Sequence, residues 1–288
     1  MKKYLLIVIT MIMTFTSCES LLKNSDEEYF FKADDGLVYK YSDFELYDSS
    51  THIAYFKTNH PEFKTDKAST FSLLVHEEEI YKGVFWPMYY NSLPTGPFIY
   101  TFPSFYPDYA FRIEFMIAGN NPVDTRNDPR IISALKEHNL LHSGLSAVIN
   151  SIDIAGTRLT FKFTVTNRDI SDLLIIDPDK TGPELFHYFT NGLSIRSITS
   201  EEVFSSNIQP RTPSPWNSWD IDWLSELKSG DSRQFTINYT ISSPLNSGDY
   251  QAYFQFPGLS YQVTQDQLFQ GNKRIWLGDI RATKKMLL

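Results

Sequence analysis

Hydrophobic and polar positions alternate along several stretches of the chain, and a period of two is the signature of a strand buried on one side. Residues 109–117, YAFRIEFMI, put Tyr109, Phe111, Ile113, Phe115 and Ile117 on one face. In RLTFKFTVTN, Leu159, Phe161, Phe163 and Val165 share a face, with Thr160, Lys162 and Thr164 opposite. QFTINYTI aligns Phe235, Ile237, Tyr239 and Ile241, and DYQAYFQF aligns Tyr250, Ala252, Phe254 and Phe256. Further strands are predicted over residues 37–47, 52–57, 71–76, 80–85, 149–154, 173–176 and 274–280. One helix stands between these groups, in NDPRIISALKEHNLLHSG. Asp128 is its N-cap, Pro129 its first residue and Gly144 lies just past its end, while Ile131, Ile132, Leu135, Leu140 and Leu141 form an apolar stripe.

Strands that do not alternate with helices imply an all-β fold. The expected layout is two antiparallel β-sandwich domains joined by that short helix: residues 29–118, a linker over 119–144, and residues 145–288. Residues 145–258 resemble the immunoglobulin-like modules of bacterial surface proteins. The resemblance rests on the strand end Val165-Thr166-Asn167, the polar turn SGDSRQF over 229–235, and SGDYQAYFQF over 247–256. It implies immunoglobulin-like sandwiches and transfers no active site, because such modules serve many functions.

The first residues follow a different pattern. Lys2 and Lys3 precede an apolar run of about a dozen residues, then the small Thr16 and Ser17, which is the layout of a secretory signal peptide. The run is shorter than the roughly 20 apolar residues that span a bilayer. Cys18, the single cysteine, follows at once. Phe15-Thr16-Ser17-Cys18 resembles the lipobox of bacterial lipoproteins, with Phe15 where Leu is usual, as in the looser boxes of the Bacteroidetes group. The resemblance implies that residues 1–17 are removed and that Cys18 carries acyl chains holding the protein to the membrane. Residues 18–28 read as a flexible acidic tether. Asp26-Glu27-Glu28 resembles, at a later position, the export tag of Bacteroidetes surface lipoproteins. The implied location is the outer membrane, at the cell surface, with its periplasmic face as the alternative. A lipidated Cys18 leaves no thiol for a disulfide, a nucleophile or zinc.

Charge narrows the partners. The chain holds 26 Lys and Arg against 34 Asp and Glu, and loss of the leader takes two of the lysines. No basic run marks a nucleic-acid footprint, and KKMLL at the C-terminus reads as a frayed end. Aromatics are plentiful, with 22 Phe, 17 Tyr and 5 Trp, and suit pleated, half-buried surfaces.

No nucleophile elbow, P-loop or dinucleotide fingerprint occurs, and His76-Glu77 is followed by Ile80 where a zinc protease needs a second histidine. Asp177 and Asp179 flank Pro178 ahead of Gly182-Pro183, a turn whose carboxylates either help hold Ca²⁺ or hydrogen-bond the turn itself. Trp216, Trp219 and Trp223 share a face if their segment turns helically, with Asp220 and Asp222 beside them. They form either a sugar-stacking platform or a plug at one end of a sandwich. Residues 85–109 are rich in Pro and aromatics, so Trp86, Tyr89 and Tyr90 lie either on an exposed binding surface or in a seam between domains. The expected function is that of a non-catalytic, lipid-anchored module binding a glycan or another surface ligand, without a cofactor. The alternative is a structural or adhesive subunit that docks another surface protein.

Overall fold

The computed structural model describes residues 28–288 apart from 59–62, 64–68, 103, 117–122, 202, 206 and 261. Cys18, the leader and the tether up to residue 27 lie outside the described residues, as does Ile117. Strands account for 48% of the structure and helix for 12%, so the fold is all-β.

Before the helix run β1 (Tyr29–Ala33), β2 (Val38–Lys40), β3 (Phe44–Asp48), β4 (Ile53–Phe56), β5 (Thr70–Val75), β6 (Glu78–Pro87), β7 (Gly96–Phe102), β8 (Ala110–Arg112) and β9 (Glu114–Met116). After helix α1 (Pro129–Glu137) come β10 (Leu141–His142), β11 (Leu145–Ala155), β12 (Arg158–Asn167) and β13 (Asp172–Ile176). Helix α2 (Pro178–Phe186) precedes β14 (Leu193–Ser197), β15 (Val203–Ser205), β16 (Leu224–Leu227), β17 (Ser232–Thr240) and β18 (Asp249–Phe256). The chain ends on β19 (Phe269–Gln270), β20 (Lys273–Ile275) and β21 (Ile280–Leu287).

Among the described residues the strands form five sheets, in the orders β2-β1-β5-β6-β7-β9, β10-β3-β4-β8, β11-β12-β17, β16-β13-β20-β19 and β15-β14-β18-β21. Three pairings are parallel, β6 with β7, β3 with β10 and β13 with β20, which corrects the expectation of purely antiparallel sandwiches. Residues 88–95 run back alongside β6 instead of closing a hairpin, and the other two pairs join strands distant in sequence. The expected frayed tail is also corrected. Residues 280–287 pair with β18 from Phe256↔Ile280 to Asp249↔Leu287, because Ile280, Ala282 and Met286 turn their apolar side chains inward. The predicted strand over 109–117 is two strands: the chain leaves one sheet at Arg112 and enters another at Glu114.

Two hydrophobic clusters carry the fold. The first is rich in aromatics, with Phe31 stacked on Phe71 at 4.9 Å and Phe44 on Phe56 at 4.9 Å. Helix α1 closes it with Ile131, Ala134 and Leu135, its N-terminus capped by the Asp128 side chain with Pro129 next, as the sequence predicts, but it ends at Glu137, so Leu140 and Gly144 lie beyond it and Leu141 is in β10. The second gathers Phe161, Phe163, Phe235, Ile237, Tyr239, Tyr250 and Phe254, the residues that alternation places inward. Strands β3 and β4 lie between the clusters. Phe44, Tyr47, Ala54 and Phe56 point into the first, Leu46, Ile53 and Tyr55 into the second. A strand buried on both faces loses its polar alternation, and β4 (IAYF) is buried at every position.

A charged node is sealed at the same level. Arg274, fully buried, donates from Nη2 to Asp48 Oδ2 (3.0 Å) and Asp169 Oδ2 (2.7 Å), both fully buried. Its guanidinium lies over the Tyr55 ring, 5.4 Å from the centroid. Asp48 Oδ1 accepts from the Ser50 and Thr51 N–H groups, and Asp169 Oδ1 contacts His142 Nδ1 at 2.6 Å. Burial alone would raise the Asp169 pKa, but the His142 hydrogen bond and the Arg274 charge hold it down at about 2.

Candidate binding cleft

The segment Ser104–Asp108 lies between β7 and β8, and cavities of about 260 Å³ and 240 Å³ flank it. They share Tyr100, Phe105, Tyr106, Arg112 and Glu114 as walls. Tyr100 follows from the parallel register of β6 and β7, which sets it beside Trp86. Its ring meets Phe105 edge-on at 5.5 Å and Phe98 at 5.0 Å.

Arg112 is the polar centre. Its Nη1 donates to the Tyr106 hydroxyl (3.2 Å) and to Asp279 Oδ1, and its Nε lies 3.2 Å from Glu114 Oε1. Asp279 arrives on the 276–279 segment, where Gly278 lets the backbone close on the turn before β4: a Cβ there would lie 2.3 Å from Thr51 Cγ2. Burial lowers the intrinsic proton affinity of Arg112, but Tyr106, Asp279 and Glu114 reverse this and raise its pKa. Tyr106 is pushed up to about 12, first by burial, with the Arg112 charge opposing. Burial and then the Glu114 charge raise Tyr100. Asp279 Oδ2 and Arg112 Nε are buried and form no hydrogen bond among the described residues. A buried polar atom left unpaired costs on the order of 1–3 kcal/mol.

An exposed aromatic rim adjoins the cleft. Tyr89 packs edge-on against Tyr90 at 5.2 Å and near Phe102 at 6.3 Å, and Trp86 meets Tyr90 at 5.1 Å. Tyr89 is 62% exposed and Phe102 65%, with Met88 and Leu93 also exposed.

The other residues singled out from sequence lie elsewhere. Of the tryptophans, Trp216 is exposed, whereas Trp219 and Trp223 pack against the second cluster. The helical part of their segment is a 3-10 turn, Ile221–Trp223, whose N-terminus the Asp220 side chain caps by accepting from the Asp222 N–H. Trp219 Nε1 donates to Gln267 at 3.3 Å. Asp177 begins α2 where a plain turn was expected. It accepts from the Asp179 N–H (2.9 Å) and from Ser225 Oγ (2.5 Å), and Pro178 follows as first helical residue. Asp177 and Asp179 share the Arg233 guanidinium, at 2.7 and 3.3 Å. Among the described residues no group of three or more His, Cys, Asp or Glu side chains is placed to hold a metal, and no helix is long and apolar enough to cross a membrane.

Arg112, Glu114 and Asp279 were not singled out from sequence. The available signal was two charges at the polar positions of an otherwise aromatic strand, YAFRIEFMI. Nothing local links them to Asp279, 167 residues beyond Arg112.

No family model matches the chain, and no curated protein matches it. Among solved structures it is similar to β-glucosidase from Kluyveromyces marxianus in complex with glucose, at 8% identity and a TM-score of 0.24 over 50% of this chain and 14% of that one. The selenomethionine-labelled form of that enzyme gives 9% identity and a TM-score of 0.25 over the same shares. The aligned part is thus a small fraction of those proteins' length.

Proposed function

We propose that the protein is a lipid-anchored module of the outer membrane, facing the cell surface, that binds a hydroxyl-rich glycan in the cleft around Arg112 without transforming it. The observation that carries this reading is the pair of cavities sharing Tyr100, Phe105, Tyr106, Arg112 and Glu114. Aromatic walls offer flat apolar faces to the C–H side of a sugar ring. Beside them, one guanidinium and two carboxylates supply donors and acceptors for its hydroxyls. Each carboxylate is engaged with the guanidinium, which suits recognition of hydroxyl groups. The anchor and location rest on Cys18 and its lipobox, and no cofactor is required.

The test is a glycan array probed with the intact chain purified in detergent, followed by titration of the best binder. Tyr100→Ala and Phe105→Ala are expected to weaken binding by about tenfold or more. A second reading, a structural or adhesive subunit, is favoured by the exposed rim of Met88, Tyr89, Tyr90, Leu93 and Phe102, which a protein partner would cover. Absence of binding to any glycan, together with self-association abolished by Tyr89→Ser, would overturn the first reading and support the second.

A further inference from the structure

The outer face of the sheet β15-β14-β18-β21 carries charge against the trend of the molecule. Acids outnumber bases 34 to 26 in the chain, yet this face presents Arg196, Arg281 and Lys285, all exposed, with Asp249 on β18 and Glu201 on the β14–β15 turn as acids at its end. The register places them. Alternation along β18 turns Tyr250, Ala252, Phe254 and Phe256 into the core and Asp249, Gln251, Tyr253 and Gln255 outward. Arg196 and Lys285 lie on either side of Gln251, Ser194 and Thr283 flank Tyr253, and Arg281 lies beside Gln255. The two arginines are therefore offset by about 10 Å across the strands and about 13 Å along them. Tyr253, 44% exposed, stands between them. An open groove of about 640 Å³ runs over Ser194, Arg196, Tyr253, Gln255, Arg281 and Thr283. Neither Arg196 nor Lys285 has a carboxylate within ion-pair distance among the described residues, and Arg281 reaches Asp279 only at 4.0 Å.

We propose that this face is a second binding site, for a polysaccharide that carries carboxylates, such as a polyuronate. Forked guanidinium groups match the planar geometry of a carboxylate. An exposed tyrosine ring between them offers a flat apolar face to the sugar that carries it. Gln251, Gln255, Ser194 and Thr283 supply hydroxyl partners in the same plane. Charges separated along a strand suit an extended chain with repeated carboxylates better than a single small anion. This site is distinct from the cleft, whose walls hold Glu114 and Asp279, and it stands or falls separately.

The test measures binding of the intact protein to immobilised polygalacturonate, to its fully methyl-esterified form and to polyglutamate, at low and at physiological ionic strength. Binding to polygalacturonate is expected to exceed binding to the esterified form by about tenfold or more, and to weaken as salt screens the arginines. Arg196→Ala with Arg281→Ala, and separately Tyr253→Ala, should each lose about tenfold. Lys32→Ala, an exposed charge on the first sheet, should leave binding unchanged. Each of these side chains is exposed, so the fold is retained, and circular dichroism of each variant checks this. No binding to polygalacturonate would overturn the proposal. So would equal binding to polyglutamate with indifference to Tyr253→Ala, which is ion exchange, or a loss confined to the cleft variant Phe105→Ala.

Discussion

Two arginines, Arg274 on β20 and Arg112 on β8, each gather two carboxylates and a tyrosine, and their surroundings give them different roles. Arg274, Asp48 and Asp169 are sealed at 0% exposure, and the carboxylate oxygens are taken up by the guanidinium, backbone N–H groups and His142. Arg112, Glu114 and Asp279 keep 13%, 28% and 18% of their side-chain surface and wall a cavity. Among the described residues each cluster leaves its arginine Nε without a hydrogen bond, and the Arg112 cluster also leaves Asp279 Oδ2 unpaired. The ingredients are nearly the same. Solvent access separates a strut from a site.

The largest effect expected from breaking this comparison is on the strut. Arg274→Ala leaves Asp48 and Asp169 buried without their cation and should cost about 3–5 kcal/mol in urea unfolding. Arg112→Ala, whose partners reach solvent, should cost no more than about 2 kcal/mol. Equal losses for the two would erase the distinction.

Next in size is Gly144→Ala, beneath the sealed node. Gly144 has φ +59°, and a Cβ there would lie 2.3 Å from Ser50 Oγ and 2.4 Å from Asp48 Oδ1. A loss of about 1–3 kcal/mol is expected in the same assay. A neutral result would mean the node tolerates displacement.

Acid should reveal the buried groups in two stages. Burial, and then the Arg126 charge, depress the His52 pKa to about 3. The unfolded chain therefore binds its proton first, and stability present above pH ~6.5 declines as pH falls toward 3. The Asp169 pKa of about 2 lies below its unfolded value, so its contribution, complete above pH ~4, is lost as pH falls from there toward 2. His52→Asn should flatten the first decline and Asp169→Asn the second in stability measured against pH. If neither slope changes, the charge assignment at these groups is wrong.

The smallest effect on stability belongs to the cleft. Tyr100→Ala and Phe105→Ala should shift unfolding by only about 0.5–1 kcal/mol, since Phe105 is 40% exposed. Their consequence should appear in ligand affinity.

Alternation made the strands of the second cluster legible, because β12, β17 and β18 each face one core and solvent. Helix α1 was readable from Asp128 and Pro129. The break at Ile113 was not, since alternation of apolar residues continues unchanged while the chain passes between sheets. β4 sits between two cores and so carries no period of two. Asp177-Pro178 reads as a turn, whereas Asp177 caps α2 and contacts Ser225 and Arg233, far along the chain. The aromatic excess of residues 85–109 was visible and does reach the surface at Tyr89 and Tyr90. Its polar complement at Arg112 and Asp279 arises from tertiary folding alone.

Covalent footprinting of the intact protein, with and without the oligosaccharide it binds best, read residue by residue by mass spectrometry, tests the central claim most directly. The account predicts protection at Tyr100, Phe105 and Tyr106, with the residues around Arg274 unlabelled in both states. Protection at Trp216 and Trp219, with the cleft labelled equally in both states, would contradict it.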